Sequence, residues 1–442
     1  MHVLPTRWVE ALEHYATAAT EAYEWGAWRD ALDHARDGLE LAHKLGSAVD
    51  ETVSARLEML VANAHVLGGD DEGAQGAAAH AVHHARAAGD GALEARALRL
   101  AAAVYLNCHR VDDTVTFAQE AAELADRAGD QRLRSAALLI LTSGLAHAAR
   151  GADAVTAGCA ALEAAQATGD AATIAASADM LVRTHVMWWQ FEEALAAAAV
   201  QLDAARLAGW LAEAAALATR CILWYYCDLH DAARDDLELA LRIASDERGE
   251  RRWAERAGGL DRLKVRYFTR YMLGVVALRT GDCEAASMLA EQLAGERLAQ
   301  TSYMILNNVI HRWIDALLEQ RTPASVRRAA ELLPSLREDP YEQGSVLDLS
   351  GSHALTSARV AAFSGATGAQ HRLEVAWEAV SLAAERRPLT SDQAFARLAV
   401  AADTAGLGEL SSRARHAAAD LAARRAAAVR RAVRPPPILT IR

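Results

Sequence analysis

Apolar and polar positions alternate along this chain with helical spacing, and small residues recur at fixed places within the runs. After Gly26 come Ala31, Ala35 and Gly38; after Gly69 come Ala74, Ala78 and Ala81. After His109 come Thr114, Ala118 and Ala121; after Gly281 come Ala286, Ala290 and the larger Leu293. Steps of four and three place each set on one face of a helix. Small side chains on that face let the helix lie close against a partner. Glycine punctuates the runs: Gly46, Gly89, Gly129, Gly169 and Gly209 each follow an amphipathic stretch, the last four 40 residues apart. Their contexts, "HKLGS", "RAAGD", "DRAGD", "QATGD" and "RLAGW", put glycine where a helix C-cap needs a left-handed residue, often followed by an N-capping Asp.

No proline occurs between Pro5 and Pro323. In an alanine-rich chain, that absence of the main helix breaker predicts helix throughout. Two helices per 40-residue period is the mark of a helical repeat. The pattern predicts about ten helix pairs, at 9–45, 49–88, 90–128, 130–168, 170–208, 210–247, 258–296, 299–337, 345–386 and 389–432. The charged, glycine-containing stretch from Asp246 to Gly259 breaks the rhythm and reads as a long loop or a hinge. It suggests an N-terminal array over 1–247, a C-terminal array over 258–432 closed by a basic capping helix, and a flexible tail over 433–442. Pro334 to Gly351 is a second irregularity.

The segments "YEWGAWRDALDHARDGLELA" (23–42) and "LRTGDCEAASMLAEQLA" (278–294) resemble the tetratricopeptide repeat around its central turn. The period is nearer 40 than 34, as in the long-helix arrays of bacterial signalling regulators, including the sensor segments of large LuxR-type activators. The resemblance implies an all-α fold, a right-handed α-α superhelix. It also implies a protein or peptide partner held in a concave groove, and a regulatory role. The repeat is a platform used by many systems and names no ligand. No helix-turn-helix is visible, which departs from the full regulators.

If the first helix of each pair lines the groove, alignment on the turns directs Arg56, Met59 and Asn63 inward, then Arg96, Arg99 and Asn107. His147, Asp179, Arg183 and Tyr225 follow. Asn and Arg on successive helices suit a peptide backbone or a terminal carboxylate, as in the carboxylate-clamp members of the family; the alternative is solvated or internally paired arginines. "HVMWWQF" and "CILWYYCDLH" concentrate Trp188, Trp189, Trp224, Tyr225 and Tyr226 in a chain with only 5% aromatics. Neighbours on a helix differ by about 100°, so not all can enter one core. They form either an aromatic hot spot for a partner or a filling of gaps that alanine leaves. A small-molecule sensor or an enzyme with a pocket near 180–230 is the alternative function.

The remaining chemistry is sparse. The net charge of −12 disfavours nucleic acid on the body of the molecule. The exception is the basic C-terminal helix with Arg413, Arg415, Arg424, Arg425, Arg430, Arg431 and Arg434, which suits an acidic partner or simply a solvated outer face. His80 and His84 stand four apart, but no third ligand completes a metal site, and Cys227 with His230 lacks a second pair. No cofactor, metal or catalytic residue is expected: phosphate-loop, dinucleotide and nucleophile-elbow motifs are absent. Five scattered cysteines without CxxC fit a reducing cytoplasm. Acidic residues among the first thirty leave no signal-peptide core, and no 18-residue apolar run predicts a membrane span. The end faces of such an array leave a homodimer open.

Overall fold

The computed structural model describes residues 6–24, 27–46, 49–108, 110–245, 259–296, 303–336, 353–386 and 390–432. Among these, the regular structure is entirely helical, and twenty α-helices form the ten expected pairs. In chain order they are α1 Thr6–Glu24, α2 Trp28–Leu45, α3 Glu51–Gly68, α4 Asp71–Ala88, α5 Gly91–Asn107 and α6 Val111–Arg127. Next come α7 Gln131–His147, α8 Gly151–Thr168, α9 Ala171–Met187, α10 Phe191–Ala208, α11 Trp210–Tyr226, α12 His230–Ser245, α13 Gly259–Arg279 and α14 Cys283–Ala294. The last six are α15 Tyr303–Gln320, α16 Pro323–Leu332, α17 His353–Phe363, α18 Ala369–Arg386, α19 Ser391–Thr404 and α20 Gly408–Ala432.

The small residues singled out in the sequence are the helix contacts. Ala31, Ala35, Ala74, Ala78, Ala81, Thr114, Ala118 and Ala121 are all buried, as are Ala286, Ala290 and Leu293. Gly38 marks a close approach: a Cβ there would meet the Leu57 methyls at 3.0 and 3.1 Å and Tyr15 Cβ at 3.1 Å. Of the five periodic glycines, Gly89 and Gly169 are left-handed C-caps as expected. Gly129 has φ +70. Gly46 and Gly209 also have positive φ but pair it with extended ψ, so they redirect the chain instead of closing a helix in the left-handed region.

The turn inside each pair carries a second 40-residue rhythm. Left-handed residues fall at Gly69, Ala149, Trp189 and Asp228. Residues flanking these turns lock across them in several ways. His65 Nδ1 lies 2.7 Å from Asp70 Oδ2, and His185 Nδ1 2.7 Å from Gln190 Oε1. Arg110 stacks 4.8 Å above the Tyr105 ring, and Tyr225 packs on the His230 ring. The same two register positions are thus bridged by an imidazole–carboxylate contact, an amide, a cation–π contact and a tilted ring pair.

Contacts group the chain into two units: Met1–Met180 with Ser245–Lys264, and Leu181–Ala244 with Val265–Arg442. The division falls inside α9. The hinge expected over 246–259 lies, up to residue 258, outside the described residues, as do the tail over 433–442 and most of the irregular stretch from Pro334 to Gly351. In the first unit each helix from α1 to α8 touches the next. The odd helices α1, α3, α5 and α7 also touch in succession, which is the packing of a helical repeat. In the second unit, α17 to α20 build an apolar core around Leu355, Leu373, Phe395, Leu398 and Leu421. A second core around Tyr267, Ile314, Leu317 and Leu318 belongs to α13 and α15. Here the chain returns on itself, since α20 packs against α10.

Candidate functional site

The 40-residue period assigns the expected groove residues other than Tyr225 to four register positions of the odd helices. Arg56 and Arg96 are equivalent, and both are exposed; Arg56 Nη1 donates to Glu13 Oε1 at 2.8 Å. Arg99 and Asp179 share the next register with Met59 and Leu139, and all four are half-buried. Asn63 and Arg183 share a half-buried register with Ala103 and Ser143. Asn107 and His147 form the fourth, also half-buried. Because α3, α5 and α7 touch in succession, their members of these registers run along one stack.

Three of the half-buried side chains lack partners. Arg99, Asn63 and Asn107 make no hydrogen bond or ion pair among the described residues. Burial lowers the Arg99 guanidinium below its ordinary range, against a small opposing influence of Tyr23. None of their polar atoms is among the fully buried unpaired ones, so the three stand as half-exposed, unpaired groups along one stack. Arg96 is also unpaired but lies exposed, and the rest are internally engaged. His147 Nδ1 lies 2.9 Å from the Ser143 carbonyl. Arg183 Nη2 donates to Thr219 Oγ1 at 3.1 Å, and its guanidinium lies 5.3 Å from the Phe268 ring.

The aromatic concentration resolves into separate roles. Tyr225 and Tyr226 are buried, packed edge to face at 5.0 Å between centroids. Trp224 is half-buried and donates through Nε1 to Asp236 Oδ2 at 2.8 Å. Asp236 also accepts two bonds from Arg220. Trp189 occupies the left-handed turn position, with φ +58, and packs against the core of α17 to α20. Trp188 is half-buried in the same turn. The rings lie apart: the helix phase sends the two tyrosines inward, Trp224 is tied to Asp236, and the turn carries Trp188 and Trp189.

The second unit holds a buried charge constellation that no spacing in the sequence announces. Asp315, 1% exposed, receives Arg312 at 3.2 Å, Arg397 at 2.7 Å and Arg359. Arg359 also donates to Glu319 Oε1 at 2.8 Å. Burial pushes the Asp315 carboxyl up, but the fields of Arg397, Arg359 and Arg312 outweigh it and hold the group below the usual carboxylate range. Beside this constellation lies a cavity of about 330 Å³, whose polar lining is Tyr225, Arg279, Cys283, Glu319, Gln393 and Arg397. Only Tyr225 of these was singled out from the sequence. Arg279 and Cys283 flank the "TGD" turn of the second repeat-like segment, the one local signal that existed; Glu319, Gln393 and Arg397 come from helices further along the chain.

No family description matches this chain, and no curated protein does. Among solved structures, it resembles a Rap protein complexed with competence and sporulation factor, at 13% identity and TM-score 0.42, covering 73% of this chain and 99% of that one. It also resembles the apo form of RapI, at 11% identity and TM-score 0.46, covering 94% and 98%. A third likeness is the apo quorum sensor NprR from B. thuringiensis, at 12% identity and TM-score 0.46, covering 93% and 98%. Likenesses this distant assign neither a family nor a ligand.

The remaining sequence candidates have structural partners. His80 Nδ1 lies 3.5 Å from Glu58 and His84 Nδ1 2.5 Å from Glu51, so the two imidazoles face different carboxylates. No cluster of three metal-ligating side chains occurs among the described residues. Burial pushes the Cys108 thiol up to about 11 and the Cys227 thiol to about 12, and raises buried Cys221 well above its ordinary value. These groups are thiols, not thiolate nucleophiles, near neutral pH.

On the basic helix α20, Arg425 is 5% exposed and bonds Asp392, Asp228 and the Tyr226 carbonyl. Arg415 pairs with Asp403, Arg424 with Asp420 at 2.6 Å, and Arg413 lies 4.5 Å over the Trp377 ring. Arg430 and Arg431 are exposed, and Arg434 lies outside the described residues. The helix is therefore largely a packed, internally paired element. No helix of the described residues is long and apolar enough to cross a membrane.

Proposed function

We propose that this chain is a non-enzymatic helical-repeat scaffold that binds a peptide or protein on the odd-helix stack of its first unit, in a cytoplasmic regulatory role. The observation that carries this is the unpaired, half-buried set Asn63, Arg99 and Asn107 on helices that touch. Carboxamides there are suited to an extended peptide backbone, and a desolvated arginine to a carboxylate or carbonyl. The tetratricopeptide-like pattern agrees, and so do the distant structural likenesses: one is a Rap protein complexed with competence and sporulation factor, and NprR is a quorum sensor. A transcriptional or signalling setting of the LuxR type belongs to the same reading, as does a homodimer.

Panning random displayed peptides on the wild-type chain and on an Arg99→Ala/Asn107→Ala variant tests it. Selected peptides are expected to lose at least about tenfold in affinity on the variant, equivalent to about 1.4 kcal/mol. Circular dichroism of the variant establishes that it is folded. Failure to select any binder, or binders indifferent to both substitutions, would overturn the reading.

A further inference from the structure

The cavity of the second unit has the walls of an anion site, independent of the peptide groove proposed above. Arg397 spends one guanidinium nitrogen, Nη1, on Asp315 Oδ2. Asp315 is shared with two further arginines, so one carboxylate serves three cations. The other nitrogens of Arg397 remain as donors beside the cavity, and a guanidinium has five N–H groups in all. Arg279, on the same lining, has only a long 3.4 Å contact with Asp228; both side chains are partly exposed, and such a pair is screened and weak. The Gln393 side-chain oxygen is occupied by the Tyr225 hydroxyl at 3.3 Å, which leaves its amide N–H groups for a ligand. The one acidic wall, Glu319, is already paired with Arg359 at 2.8 Å.

Donors therefore come from two helices, α13 through Arg279 and α19 through Gln393 and Arg397, with the Tyr225 end of α11 holding Gln393 in place. Val275 and Val400 supply apolar wall for a short carbon skeleton. A volume of about 330 Å³ sits at the small end of ligand pockets. We propose that this cavity binds a small anionic molecule through its oxyanion, with Arg397, Arg279 and Gln393 as the donors. The shared chemistry is an oxygen-rich anion with a short apolar body, supplied either as a carboxylate or as a phosphate ester.

The test is calorimetric titration of the full chain at constant ionic strength with succinate, glycerol 3-phosphate, and succinamide as the uncharged counterpart of succinate. Saturable binding of at least one anion with Kd below about 1 mM is expected, with succinamide at least tenfold weaker. The two anions distinguish a carboxylate from a phosphate source. Arg279→Gln should weaken the bound anion about tenfold, and Val400→Trp, which fills the cavity without touching a charge, should abolish binding. Arg279 is partly exposed and Val400 sits on the rim, so both variants are expected to fold, and each is checked by its thermal transition. Binding of neither anion below about 10 mM, equal affinity for succinamide, or binding unchanged in Val400→Trp would each overturn the proposal.

Discussion

The Tyr225 hydroxyl donates to the Gln393 side-chain oxygen at 3.3 Å, joining the end of α11 to the start of α19 across 168 residues. Both residues are buried. One residue along, the Tyr226 carbonyl at the C-terminus of α11 accepts from Arg425 Nη1 at 2.8 Å. A cation at a helix C-terminus is favourably placed, and this one also neutralises Asp392 and Asp228. Three helices far apart in sequence are thus fastened at one point of the second unit.

Arg425→Met should therefore destabilise the second unit strongly, by about 3–5 kcal/mol, since it leaves the buried Asp392 carboxylate uncompensated. Arg425→Lys should recover only part of this, because one ammonium cannot serve three acceptors in different directions as a guanidinium does. Urea denaturation of the three proteins, read by tryptophan fluorescence, checks the order.

His311 should give the stability a pH dependence. Burial lowers its pKa to about 4, with Arg312 and His353 adding to the shift and Asp315 opposing it. Between its ordinary value of about 6.5 and about 4, the unfolded chain takes up a proton that the folded chain refuses. The neutral imidazole's contribution is therefore complete above pH 6.5 and is lost as pH falls toward 4, amounting to about 3 kcal/mol. His311→Gln, which keeps a polar partner for Thr356, should flatten the slope between pH 6.5 and 5 in urea titrations. An unchanged slope would contradict the assignment.

Two glycines of the first unit, on α2 and α4, should respond oppositely to alanine. At Gly38 a Cβ would lie 3.0–3.1 Å from Leu57 and Tyr15, so Gly38→Ala should cost about 1–3 kcal/mol by overpacking. At Gly76, inside α4, nothing lies within 4 Å, and Gly76→Ala should gain up to about 1 kcal/mol from helix propensity. Thermal unfolding of both variants decides whether helix spacing in the first unit is set by close contact.

Cys159 is the exposed cysteine, whereas Cys221 and Cys227 are buried and Cys108 and Cys283 half-buried. Brief treatment of the native protein with iodoacetamide at pH 8, followed by peptide mass mapping, should label Cys159 first. Cys108 and Cys227, with thiols raised to about 11 and about 12, should label only after denaturation.

The sequence by itself determined the local architecture of this protein. The helix pairs, the left-handed residues at Gly89 and Gly169, and the buried faces at Ala31/Ala35 and Ala74/Ala78 all follow from spacing within one or two turns, where backbone geometry dictates which residues are neighbours. The periodic registers of Asn63, Arg99 and Asn107 were legible for the same reason. Only the tertiary structure decided that Arg359 and Arg397 meet Asp315, separated from it by 44 and 82 residues, and that Arg279 and Gln393 face one cavity. It also decided that the Tyr225 and Tyr226 rings turn inward and that Arg425 of the basic helix is buried. Such contacts depend on where whole helices dock, and a buried arginine and a solvated one are written with the same letter.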